Sequence, residues 1–486
     1  MINICKKKIK QIKKMYSKLS APVKASLWFT ICSVIQKGIT LLSTPIFTRL
    51  LTTEQYGVYS VYQSWYTIIS IFATLHLSAG ILFNGLTKYE DDRERLISSF
   101  QGLSTTVTIL LFIVYLIGMN YFNKILELNP ILMFAMFVEL LFVPAYAYWA
   151  VKERFDYKYK KIIILTLLVA IGSPALGIIS VLSTSFKAEA RVLSYVFVSS
   201  FEGLIFYIIN FKKGKVFFDK KYWKYALNFN LPLIPHYLSM TVLNQADRIM
   251  IRKYVGLEYA GIYSVAYQVS MMMNIITIAI NNSYIPYTYK NMKKEKYNGI
   301  NKNSNYLLLI VGGLCVVAMA FGPEIIKIFA SKEYYQAIWI IPPVAASVYF
   351  MFLYSLFANI EFYFEKTKYV MVASCAGAIT NIILNYIYIQ KYGFIAAGYT
   401  TLFCYILFSL AHYIFYRIVI KQKNISNIYN LKYIILISIM LFVFMLIMPF
   451  MYINIIIRYI FLLILLIIIF IYRKKIINIF ISIKRK

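Results

Sequence analysis

What the chain lacks narrows its chemistry first. It has no GxxxxGK[ST] phosphate loop, no HExxH and no Cys/His cluster, so nucleotide hydrolysis and metal-assisted catalysis have no residues to carry them. Cysteine is scarce: Cys5, Cys32, Cys315, Cys375 and Cys404 form no CxxC pair. Four of the five fall inside apolar runs and act as small fillers rather than as disulfides or ligands. Acidic residues are few, 19 against 51 lysines and arginines, and only 3 histidines occur. Long hydrophilic stretches are also missing. The longest run about 10–20 residues, too short for a separate folded unit.

What is present is apolar sequence, 60% of 486 residues, with a mean hydropathy of +0.67. Fourteen apolar stretches follow one another. Most are close to the roughly 20 residues a helix needs to cross a bilayer. The first is placed at 25–47, the second at 57–83, the seventh at 225–246, the eighth at 259–285, the tenth at 335–359 and the last at 455–472. The fold class predicted is an all-α integral membrane protein of about fourteen transmembrane helices. The Lys-rich start resembles a signal peptide, but the run after it is long and contains Lys37. It is therefore expected to stay as the first helix.

Basic residues alternate between the loops. Of the 51, 39 fall in the tails and even-numbered loops and 10 in the odd-numbered loops, with Lys37 and Arg458 inside spans. The positive-inside rule then predicts both termini in the cytoplasm, as an even number of spans also requires. A net charge of +32 would suggest nucleic acid in a soluble protein. In loops beside a membrane it meets anionic lipid head groups instead, and no nucleic-acid partner is expected.

The chain repeats itself. Glu54-Gln55-Tyr56-Gly57-Val58-Tyr59-Ser60-Val61 returns as Glu258-Tyr259-Ala260-Gly261-Ile262-Tyr263-Ser264-Val265, with five of eight positions identical at an offset of 204. Six spans separate the copies, so the repeat is parallel, with its pseudo-twofold axis along the membrane normal. Two six-helix lobes follow, at 25–211 and 225–420. A basic tail (1–24) precedes them and a basic loop (212–224) joins them. Two further helices and a basic tail (421–486) end the chain.

Charges within a membrane are costly and usually face a cavity. Lys37 lies 13 residues past Lys24, roughly 20 Å along a helix and near mid-membrane. Glu139 and Glu202 fall at similar depth in the same lobe, so each is a candidate partner for Lys37 and a candidate titrating group. Arg49, and Asp247 with Arg248, stand at the ends of the first and seventh spans. Arginine suits phosphate or carboxylate there, but snorkelling to the interface explains such positions equally well. His236 sits beside Pro235 with Pro232 a turn back, where broken helices line binding sites. The seventh and eighth spans are rich in amides, among them Asn230, Asn244, Gln245, Gln268 and Asn281, and span eleven adds Asn381 and Asn385. Such density suits a hydrogen-bonding lumen, and helix packing accounts for part of it.

These features together resemble the Wzx-type polysaccharide flippases, in the superfamily that also holds the multidrug exporters and the lipid II flippase. The resemblance is carried by Pro45-Ile46-Phe47-Thr48-Arg49-Leu50-Leu51-Thr52 with Glu54-Gln55-Tyr56-Gly57-Val58-Tyr59. Ala246-Asp247-Arg248-Ile249-Met250-Ile251 with Gly261-Ile262-Tyr263-Ser264-Val265-Ala266 extends it, as does Lys391-Tyr392-Gly393-Phe394-Ile395-Ala396-Ala397-Gly398. It implies a non-enzymatic carrier in a bacterial cell membrane. The cargo would be a polyprenyl-pyrophosphate-linked oligosaccharide, passed to the outer leaflet by alternating access. The polysaccharide polymerase and chain-length machinery would be neighbours. Lys37, Arg49 and Arg248 would supply a cationic lumen. No cofactor is implied; H+ or Na+ coupling would fall to Glu139, Glu202, Asp247 or His236. Two alternatives stand beside this reading. A cation-coupled multidrug exporter would share the architecture, though a mid-membrane lysine suits cationic drugs poorly. A polymerase or ligase would need longer outer loops than the 5–12 residues found.

Overall fold

The computed structural model describes residues 20–79 and 81–464, together with 467 and 471. Residues 1–19 of the basic N-terminal tail, a third of the last span and the basic tail after it lie outside the described residues. Among the described residues there is no strand. In lipid this is expected, because a helix satisfies every backbone polar group within itself.

The first half contains α1 (Ala21–Leu50), α2 (Thr53–Thr74), α3 (Ile81–Lys88), α4 (Arg93–Ile117), α5 (Met119–Leu126), α6 (Pro130–Phe155), α7 (Lys160–Ser183) and α8 (Lys187–Gly214). Then come α9 (Lys220–Asn230), α10 (Ile234–Tyr254), α11 (Leu257–Ser270), α12 (Met272–Lys293), α13 (Tyr297–Ala320) and α14 (Gly322–Phe329). The chain continues through α15 (Ile341–Tyr363), α16 (Thr367–Tyr392), α17 (Ile395–Gln422), α18 (Leu431–Ile453) and α19 (Ile455–Ile464). Eleven helical stretches among the described residues are long and apolar enough to cross a membrane. Those below that threshold include α2, α10 and α19, the cores of the second, seventh and fourteenth spans. The chain is a multi-pass membrane protein with the architecture of about fourteen spans.

Helix starts follow local chemistry. Asn129 caps α6 by accepting from Leu132 N at 2.9 Å, with Pro130 in the first turn where no donor is needed. Asp219 caps α9 through Lys221 N (2.9 Å) and Asn430 caps α18 through Tyr433 N (3.2 Å).

Three spans are interrupted, the second and eighth without warning and the seventh where its prolines predict a break. The second stops at Thr74, and Leu75 and His76 adopt positive φ of 48° and 51° before α3. The seventh breaks into a 3-10 turn at Leu231–Leu233, around Pro232, which cannot donate to a continuing helix. Pro235 does not add a second break, because it sits in the first turn of α10. The eighth divides at Met271. Two of the breaks are tied together: Asn230 Nδ2 donates to the Leu75 carbonyl at 2.7 Å, and the His76 and Tyr237 rings lie 4.2 Å apart.

The chain divides into two compact units. One is drawn from Met1–Leu50 and Trp65–Tyr237, the other from Leu51–Ser64 and Leu238–Lys486. In the first, α8 packs against α4, α6 and α7, and Trp149 and Phe206 meet at 4.3 Å. Its lysine-rich end is laced by ion pairs: Arg93 with Glu90 (3.1 Å) and Asp156 (3.5 Å), Arg95 with Asp219 (3.7 Å), and Lys152 with Glu94.

In the second unit α15 is the central helix, packed by α13, α17 and α18. The two copies of the repeat touch here. A Cβ on Gly57 would strike the Leu257 carbonyl, and one on Gly261 would strike the Thr53 carbonyl. Glycine at both positions lets the first turns of α2 and α11 meet backbone to backbone. Arg458, 2% exposed, pairs with Glu324 of α14, and Tyr459 OH donates to the same carboxylate at 2.9 Å. This fastens the last hairpin to the second unit.

Candidate substrate and coupling site

A dense polar cluster lies in the second unit around Asp247, which is completely buried. Its Oδ2 accepts from Tyr263 OH at 2.5 Å and Thr401 Oγ1 at 2.8 Å; its Oδ1 accepts from Asn385 Nδ2 at 2.5 Å. Asn385 also donates to Asn381 Oδ1 at 3.1 Å and accepts from Thr400. Four helices therefore converge on one carboxylate. Charge-assisted bonds of this kind are stronger than neutral ones, and a buried charge is tolerated only when satisfied this way.

Arg248, next along α10, takes a different course. It donates to the Asn244 carbonyl at 2.5 Å and lies 4.3 Å from the centre of the Tyr267 ring. Asn244 Oδ1 accepts from Tyr267 OH (3.1 Å) and Tyr405 OH (3.2 Å), so this cation is held over a hydrogen-bonded aromatic wall. A guanidinium kept against aromatic faces retains donors for an anionic oxygen.

In the first unit Glu139 is fully buried and hydrogen-bonds the Tyr66 hydroxyl. Glu202 is half-buried, with Oε1 enclosed and making no hydrogen bond among the described residues. Lys37 is exposed on α1 and forms no salt bridge among the described residues. The pairing with Glu139 or Glu202 is thus not made in this structure. Arg49 is exposed and donates to the Pro45 carbonyl at 2.8 Å. His236 is half-buried beside the seventh-span break, its ring 5.7 Å from that of Tyr237.

Several amides read as lumen-lining serve as bonds between helices. Asn230 reaches Leu75, Gln245 accepts from Ser64 (3.1 Å), and Asn281 accepts from Asn359 (2.9 Å). Two charged sites escaped the sequence reading. Arg191 is 6% exposed and lies 3.9 Å from the centre of the Phe47 ring. It lies one turn into α8. Glu361 and His412 are both wholly buried, with Nδ1 2.9 and 3.1 Å from the two carboxylate oxygens. Glu361 follows the assigned end of its span by two residues, which hid it.

A family profile described as "Polysaccharide biosynthesis protein" matches residues 23–292. The chain belongs to the polysaccharide biosynthesis protein family. A second profile, described as MatE, matches residues 232–387. This family member is 27% identical over 160 residues to a protein of the Lsg locus of Haemophilus influenzae, covering 31% of this chain and 38% of that one. It is 25% identical over 202 residues to an uncharacterized membrane protein of Methanocaldococcus jannaschii, covering 40% of each. The matches thus span less than half the length of these curated relatives.

Among solved structures, the lipid II flippase MurJ in an inward closed conformation superposes with a TM-score of 0.68 at 16% identity, covering 93% of this chain and all of that one. An inward-facing multidrug resistance MATE family transporter gives 0.59 at 13% identity, covering 83% of this chain and 100% of that one. These likenesses establish the fold, which is that of the MurJ and MATE structures. The family and fold expected from the first and seventh hairpins are borne out.

Proposed function

We propose that this family member moves a polyprenyl-pyrophosphate-linked oligosaccharide from the cytoplasmic to the outer leaflet of a bacterial cell membrane, with both termini cytoplasmic. It acts as a carrier, not an enzyme, working by alternating access. The observation that carries the reading is the polysaccharide biosynthesis profile across residues 23–292, which includes Lys37, Arg49 and Arg248. The polysaccharide polymerase and chain-length machinery would receive the cargo.

In this reading Lys37 and Arg248 offer cations to the pyrophosphate and acidic sugars, and Arg49 adds a third. Energy enters as H+ or Na+, with Asp247 as the first coupling group and Glu139, Glu202 and His236 next. The oxygens of Asp247, Asn381, Asn385 and Thr401 are the hard ligands a small cation prefers. Sodium-dependent thermal stabilisation of wild type, absent in Asp247→Asn, would favour Na+ over H+.

The deciding experiment deletes the gene, radiolabels lipid-linked oligosaccharides and asks which membrane face holds them. Build-up on the cytoplasmic face, relieved by the wild-type chain, is expected. Units that cross normally but fail to polymerise would reject the carrier. Lys37→Ala should stop export while the protein accumulates normally in the membrane; normal export would remove the cationic-lumen idea. The MatE match at residues 232–387 favours one alternative, a cation-coupled drug exporter. Drug resistance lost on deletion, with normal leaflet distribution, would choose it.

A further inference from the structure

The second unit carries two adjoining cavities at its lysine-rich end, outside the cluster around Asp247. The first, about 920 Å3, lies between the α12–α13 turn and the α17–α18 connection. Lys290, Lys294 and Lys296 line it against a single carboxylate, Glu295, so its rim is net positive. The second, about 520 Å3, is lined by Ile414, Ile418, Ile420 and Ile425, with Arg417 and Lys421 toward the end of α17. Asn427 lines both.

The walls are fixed before any ligand arrives. Tyr416 OH donates to Asn427 Oδ1 (3.0 Å) and accepts from Ile428 N (2.8 Å), and Tyr429 OH donates to the Leu356 carbonyl (2.9 Å). With its oxygen engaged, Asn427 has its amide N–H groups left to offer. Across the cavity, Asn291 Nδ2 donates to the Tyr287 carbonyl (2.8 Å) and Lys296 N to the Asn291 carbonyl (2.9 Å). Along α17 the order is directional. Ile414 and Ile418, 49% and 37% exposed, lie further from the helix end than Lys421. Apolar surface deeper in the span and cations at its end reproduce the polarity of a phospholipid.

We propose that the paired cavities form a site for one anionic phospholipid. Its phosphate would sit among Lys290, Lys294, Lys296 and the Asn427 amide, and one acyl chain would lie along Ile414 and Ile418. A phosphate alone would use only the first cavity; the isoleucine groove joined to it through Asn427 commits the site to a lipid. Basic pockets between spans at a cytoplasmic face recognise head groups in this manner. The site is independent of the cargo proposed above.

The test uses the full chain purified in neutral detergent, titrated with dioleoylphosphatidylglycerol or dioleoylphosphatidylcholine and read by native mass spectrometry. One phosphatidylglycerol adduct should bind at least about tenfold more tightly than phosphatidylcholine. Replacing Lys290, Lys294 and Lys296 together by alanine should abolish that preference. Replacing Lys212, Lys213 and Lys215, which removes equal charge elsewhere, should leave it intact. Ile418→Asn should weaken the adduct with all charges present. Equal binding of the two lipids, or equal loss in both triple variants, would overturn the proposal. Displacement of the lipid by inorganic phosphate or pyrophosphate at matched concentration would assign the site to a free anion instead.

Discussion

Asp247 and Glu139 are both wholly buried carboxylates, yet their surroundings differ. Asp247 is clasped by donors from three other helices, all neutral: Tyr263, Asn385 and Thr401. In the first unit Glu139 has the Tyr66 hydroxyl, and Glu202 nearer the surface has an enclosed oxygen with no hydrogen bond among the described residues. A carboxylate held by three donors ties its helices together. The lesson is that membrane depth and burial do not sort such residues; the chemistry of their partners does.

The comparison breaks most sharply at Asp247. Asp247→Ala would strand three buried donors and should destabilise the second unit by about 3 kcal/mol or more, read as thermal melting in detergent. Asp247→Asn keeps the volume and should cost less. A melting point unchanged in Asp247→Ala would mean that the clasp contributes nothing. Next in size is the glycine crossing within the second unit. Gly261→Leu must push α11 from the Thr53 carbonyl and should cost about 1–3 kcal/mol. Gly313→Ala, with open space around it, should instead gain about 0.5–1 kcal/mol of helix propensity. Smaller still, Glu202→Gln removes a charge that has little to hold it and should move melting by less than about 0.5 kcal/mol. A loss as large as that of Asp247→Ala would show that Glu202 has partners equal to those of Asp247.

Much of this architecture was legible in one sequence, and for physical reasons. Span count follows from hydropathy because lipid leaves helices no alternative. The Gly57/Gly261 repeat marked a real backbone crossing, since only glycine permits that approach. Asp247 was visible as a charge at a helix end. Its partners were not, because Thr401 and Asn385 reach it from 154 and 138 residues away. Glu361 was lost to a span boundary drawn two residues short. The second-span break carries no proline; Leu75 and His76 turn left-handed while the chain is pinned from Asn230, a tertiary cause that no local pattern reveals.

In the first unit pH offers a mild probe of one buried hydrogen bond. Tyr222, in the first turn of α9 within the basic segment 212–224, is buried and donates to Asp92 Oδ2 at 2.9 Å. Burial, and then the neighbouring Asp92 carboxylate, push its phenol up to about 12. In the unfolded chain a tyrosine ionises near 10. Between those values the unfolded state sheds a proton that the folded state keeps. Stability must therefore fall as pH rises from 10 to 12, and below pH 10 this group contributes no slope. Tyr222→Phe removes the titration and should flatten that part of the melting profile, while costing about 1 kcal/mol at neutral pH for the lost hydrogen bond. A profile equally steep in the variant would assign the alkaline loss to other groups. It would leave the Asp92 contact as a hydrogen bond without consequence for the phenol.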